Sequence, residues 1–90
     1  MDRRRIVFGD YAASQAGRRG LGEAAVCAVV ASPEQTEVVR IGREVRQSKV
    51  AFPPEGKVYL VRVFVDVSDE EVVVVTAYRT SKIAKYWRQP

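Results

Sequence analysis

Hydrophobic and polar positions alternate most regularly over Val58–Val67. Tyr59, Val61, Val63, Val65 and Val67 are all apolar or aromatic, whereas Val58, Leu60, Arg62, Phe64 and Asp66 are mixed and include a lone arginine. Successive side chains of a strand point to opposite faces, so the first set predicts a core face and the second the opposite face. Val72–Thr80 is an equally strong strand, joined to the first by Ser68-Asp69-Glu70. If that loop is three residues long, Val67 pairs with Glu71 and Arg62 falls opposite Thr76. Tyr78 then shares that face, and Val73, Val75 and Ala77 continue the core. A one-residue slip would undo this arrangement. Upstream, Glu37–Ile41 and Glu44–Phe52 flank a Gly42-Arg43 turn, and Pro53-Pro54-Glu55-Gly56 marks the next turn.

Residues 1–36 follow a different pattern. Arg5–Phe8 predicts a short strand. Asp10 is placed to cap a helix over Tyr11–Arg19, which Gly20 ends at its C′ position. A second helix spans about Glu23 to Ala31 and stops before Pro33. It is apolar nearly all round, as expected of a helix pressed into a core, and Cys27 reads as a small buried hydrophobe. A short helix from Ser81 to about Arg88 ends the pattern, with Thr80 or Ser81 as its N-cap. The predicted fold class is α+β. Two N-terminal helices pack on one face of a four-stranded antiparallel sheet, with room for a short extra N-terminal strand, in a single 1–90 domain.

Composition narrows the chemistry. The chain carries 15 Lys and Arg against 11 Asp and Glu, a net charge of +4. Thr76–Pro90 alone contributes Arg79, Lys82, Lys85 and Arg88 without an acid, which suits an anionic partner. There is no histidine, so zinc hydrolysis and Ser-His or Cys-His nucleophiles are disfavoured, and no metal or cofactor is expected. One cysteine allows no internal disulfide and fits a cytoplasmic setting. No run reaches the roughly 18 apolar residues of a membrane span. Ile6, Val7 and Phe8 meet Gly9 and Asp10 too soon for a signal peptide.

Among the cations, Arg62 with Thr76, Tyr78, Arg79, Ser81, Lys82 and Lys85 makes the leading candidate site. Cations hold phosphates, hydroxyls donate to them, and the free N–H groups of a helix start at Thr80–Lys82 would form an anion cradle. Lys82 opposes the dipole of the helix it starts, so it does not serve helix stability. Arg18 and Arg19 end the first helix, where complementing the dipole weighs equally with gripping phosphate. Arg46 and Lys49 are second-rank candidates for gripping an anionic partner such as nucleic acid. They belong to a ragged series with Arg40 and Arg43 whose bland role is to keep an edge strand soluble. Tyr86 and Trp87 read as packing for the terminal helix.

Several of these segments together resemble a known family: the Arg-Arg-Gly-Leu helix end, Ser-Pro-Glu after the second helix, the Gly-Arg turn, Leu-Val-Arg-Val, and the ending Val-Val-Thr-Ala-Tyr-Arg-Thr-Ser-Lys-Ile-Ala-Lys-Tyr-Trp. This is a family of small, mostly bacterial proteins related to the BrnT and RelE/ParE toxins, in the superfamily of barnase-, EndoU- and colicin-type ribonucleases. The resemblance implies an active surface on the sheet face opposite the helices and a toxin that cleaves RNA, with or without the ribosome. It also implies an antitoxin protein encoded nearby. Family members often carry a histidine after the first strand where this chain has Tyr11, so Tyr11 joins Arg62, Tyr78 and Lys82 as a catalytic candidate. The alternative is a non-catalytic basic module that docks an acidic protein, or a ParE-like toxin acting on a protein target.

Overall fold

The computed structural model describes residues 2–89. Met1 and Pro90, the ends of the expected domain, lie outside the described residues, as does the last position of the basic C-terminal segment. The fold is α+β, with elements β1 (Arg5–Val7), α1 (Asp10–Arg18), α2 (Glu23–Ala31), β2 (Gln35–Arg40), β3 (Arg43–Phe52), β4 (Lys57–Val67), β5 (Glu71–Thr80) and α3 (Ile83–Tyr86). The expected four-stranded antiparallel sheet is in fact five-stranded and mixed, in the order β1-β5-β4-β3-β2. The extra strand β1 runs parallel to β5, pairing only with Glu71–Val73. No described helix is long and apolar enough to cross a membrane.

The periodicity of β4 holds on one face. Val61, Val63 and Val65 are buried beneath α1 and α2 with Ala16, Leu21, Val26 and Val30, and Tyr59 at the sheet end is half-buried. Leu60, on the opposite face, is fully buried as well, so that face is also covered. The β4–β5 register differs from expectation twice. The strands are separated by the expected three residues, Ser68–Glu70, but Val67 pairs with Val72 and not Glu71, and β5 then bulges at Val75 between the Val65↔Val74 and Phe64↔Thr76 pairs. Each change alone would turn Tyr78 to the other face; together they restore it, and Arg62 sits directly opposite Tyr78. Ahead of the bulge the parity is inverted, so Val72 and Val74 enter the core in place of Val73 and Val75.

Helices α1 and α2 lie where their local signals place them, with differences in detail. Gly9, not Asp10, is the N-cap of α1, and Asp10 stands in the first turn, where its charge complements the dipole. Gly20 takes φ 77° just past the helix, the left-handed conformation expected of a C′ glycine. Helix α2 buries one stripe, Val26, Val29 and Val30, and exposes Ala24 and Ala28. Alanine is apolar but small, so leaving it in water costs little. Cys27 is half-buried, and burial pushes its thiol above the ordinary range, away from reactivity.

Arg46 pins the amino-terminal arm under α2. Its Nη1 donates to Val30 O at 2.7 Å and to Asp2 Oδ2 at 2.9 Å, while Nε and Nη2 both donate to Glu44 Oε1 at 3.0 Å. Bonds from the Arg4 side chain and backbone N–H, with help from Arg46, hold the Asp2 carboxyl far below the usual carboxylate range. Arg43 likewise lowers Asp66. A depressed folded pKa gives stability that is present above the unfolded value of about 3.9 and lost as pH falls toward the folded value. The urea midpoint should therefore hold between about pH 7 and 5 and fall below about pH 4. Asp2→Asn should lower the plateau and flatten that acid limb; an unchanged acid limb in the variant would rule out Asp2 as a source of the pH dependence.

Candidate functional site

The face opposite the two long helices carries Gln47 and Lys49 from β3, Arg62 and Phe64 from β4, and Thr76 and Tyr78 from β5. Arg62 is at its centre. Its Nε donates to Gln47 Oε1 at 2.9 Å and its Nη1 to the Tyr78 hydroxyl at 2.6 Å. The Tyr86 ring lies 4.2 Å from the guanidinium carbon, and only 9% of Arg62 remains exposed. Arg62 lies on the face opposite the helices, as expected, but that face is not open to solvent around it, because the C-terminal segment folds back over it.

That segment is positioned by polar contacts along β2 and β3. Gln47 Nε2 donates to Tyr86 O and to Gln35 Oε1, and Gln35 Nε2 donates to Arg88 O. The Lys49 ammonium sits 4.0 Å above the Trp87 ring. Helix α3 itself is a single turn, shorter than expected, with Lys82 as N-cap. The Lys82 N–H, one of the donors expected for an anion cradle at Thr80–Lys82, is already taken by Thr80 Oγ1 at 3.1 Å. Lys82 and Ser81 remain exposed beside the site.

Charge on this face is unevenly matched. The carboxylates the strands place there each have an arginine: Asp66 with Arg43, Glu37 with Arg88, and Glu71 with Arg5. Among the described residues, Arg62 has no carboxylate within ion-pair distance, and neither do Lys49, Lys82 and Lys85. The charge of a buried guanidinium that meets only neutral groups is poorly screened by water. Lys85 lies 5.2 Å from the Tyr86 ring. Its ammonium chiefly, then the Tyr78 hydroxyl and the Arg62 charge, hold the Tyr86 phenol below its ordinary value.

The structure thus brings together Arg62, Tyr78, Lys85, Lys49 and Thr76, with Lys82 and Ser81 at the rim. Arg19 joins them from the helix side. It reaches the edge of β5 that no strand among the described residues covers beyond Val73, and donates to Thr76 Oγ1 at 3.1 Å and Ala77 O at 3.0 Å. The remaining candidates lie elsewhere. Tyr11 is exposed on α1, across the sheet from Tyr78, so it is not part of this site. Arg46 faces α2 and is neutralised by Asp2 and Glu44; it is structural, not an RNA contact. Arg79 pairs with Val61 and points to the helix face, and Arg18 is exposed at the end of α1.

Gln47 is the residue that sequence reasoning left out, and Tyr86, read there as packing for the terminal helix, lies 4.2 Å over the Arg62 guanidinium. Gln47 gave no signal until its pairing opposite Arg62 was known. No family model, curated protein or solved structure matches the chain.

Proposed function

We propose that this protein is a RelE/BrnT-like RNA endonuclease that cleaves by internal transfer at the Arg62–Tyr78–Tyr86–Lys85 cluster. The observation that carries this reading is Arg62: a guanidinium 9% exposed, held by Gln47 and Tyr78, with no carboxylate among the described residues to neutralise it. A fixed, uncompensated cation is preorganised for the extra negative charge of a pentacoordinate phosphate. Tyr86, with its phenol made more acidic by Lys85, accepts the proton of the RNA 2′-hydroxyl as that oxygen attacks the adjacent phosphorus. The bond to the 5′-oxygen breaks, and the Tyr78 hydroxyl, whose oxygen already accepts from Arg62, supplies the proton to the leaving oxygen. Lys49 and Lys82 flank the path as phosphate contacts. Toxin-like function in the cytoplasm, with a small acidic antitoxin encoded alongside, belongs to the same proposal and rests on the resemblance of the chain ending.

Cleavage of RNA by the purified protein, with and without ribosomes, should persist in EDTA, because every step is assigned to a side chain. The rate should rise with pH through an inflection below the value of about 10 for free tyrosine, since deprotonation creates the base. Tyr86→Phe should remove that limb. Cleavage abolished by chelator, or a limb retained in Tyr86→Phe, would refute the assignment.

A further inference from the structure

Arg79 is the candidate cation that strand β5 turns to the helix-covered face, where among the described residues no acid or hydrogen-bond acceptor meets it. Its guanidinium carbon lies 4.6 Å from the ring centroids of both Phe52 and Tyr59, and those rings meet edge to face at 86°. On another side the backbone turns at Gly20. A Cβ there would come within 2.9 Å of Arg79 Nη2, and the φ of +77° also favours glycine. The guanidinium is therefore fixed by two rings and a close backbone. Yet among the described residues no hydrogen bond and no carboxylate engages its side chain, so all five N–H donors of the fork stay free. The Lys57 ammonium, 5.2 Å from the Tyr59 ring, adds a second positive charge nearby.

We infer that Arg79 is a second phosphate-binding point, which takes an internucleotide phosphate of the same RNA strand whose scissile linkage sits at Arg62. This inference rests on the RNA reading above. Tyr78 and Arg79 are consecutive in β5 and so point to opposite faces of the sheet. Arg19 lies across the uncovered edge between them, at Thr76 and Ala77. A single strand rounding that edge meets Arg62, Arg19 and Arg79 in turn. The Phe52 and Tyr59 rings are already occupied by the guanidinium, so the contact reads phosphate and not base, and it is indifferent to sequence.

The test is an NMR titration of the whole protein with a 12-nucleotide single-stranded RNA, following the Arg Nε–H signals and the Gly20 amide. The Arg79 signal is identified by its loss in Arg79→Met. Shifts at Arg79 and Gly20 together with Arg62 and Tyr86 are expected. In a binding assay Arg79→Met should weaken the 12-mer about 5- to 10-fold and reduce the salt slope by roughly 0.7, the value for one phosphate of a single strand. Its melting temperature should be unchanged, because the methionine stem still covers the rings. Shifts confined to Arg62 and Tyr86 would overturn the Arg79 site and leave the cleavage site standing. Shifts confined to Arg79 and Gly20 would keep Arg79 as an RNA contact and remove the cleavage site. No shifts at either would overturn both.

Discussion

Arg46→Ala is expected to cost about 3–5 kcal/mol, the scale for breaking a buried ion pair by removing one partner. That is a large part of the roughly 5–15 kcal/mol that stabilises a small domain. The Arg46 side chain is 6% exposed and its partners Asp2 and Glu44 are 12% and 21% exposed. The alanine variant therefore leaves two poorly hydrated carboxylates and the Val30 carbonyl without their donor. Equilibrium unfolding in urea measures the loss. In a background of Asp2→Asn and Glu44→Gln the same change should cost much less, because the stranded charges are gone; the difference is the coupling within the network. A loss under about 1 kcal/mol in the parent background would place this network with ordinary surface ion pairs. RNA binding by the protein that remains folded should be unaffected.

The contrast between Arg46 and Arg62 shows where sequence reasoning stops. Both are arginines inside strands, and the period of two separates residues of one strand by face. It does not reveal which arginine will meet acids. Arg46 is neutral in effect because Asp2, 44 positions away, folds under α2. Arg62 is not, because its neighbours across the sheet are Gln47 and Tyr78. The strands themselves were legible from alternation and from glycine and proline punctuation, and α2 from its alanine-rich run. The bulge at Val75 was not, since Val72–Val75 is four valines in succession and reads alike in either register. Arg62 and Tyr78 share a face as expected only because a one-residue offset in the first pair, Val67↔Val72, and a bulge shift the register in compensating steps. The parallel pairing of β1 with β5 and the folding back of Tyr86 and Trp87 over β3 are long-range choices. They depend on which surface is left uncovered once the other elements have packed.

Arg62→Met should separate stability from function. Methionine fills the space under Tyr86 while removing a charge that is buried without a counter-ion among the described residues, and exchanging a buried charge for an apolar side chain of similar volume is often neutral or stabilising. Against that stands the loss of two hydrogen bonds, to Gln47 and Tyr78, each worth about 1 kcal/mol net. The melting temperature should accordingly move by no more than the roughly 4–8 °C that 1 kcal/mol represents in a domain of this size. Cleavage should fall about 100-fold or more, the scale for deleting a group that stabilises transition-state charge. Arg62→Lys should not restore it, because an ammonium cannot reach Gln47 Oε1 and the Tyr78 hydroxyl with the fixed fork of a guanidinium. Cleavage retained in a folded Arg62→Met protein would remove this face as the reaction site. A collapse in melting temperature would mean that Arg62 is held there for the fold, as Arg46 is, and that its missing carboxylate has no bearing on phosphate.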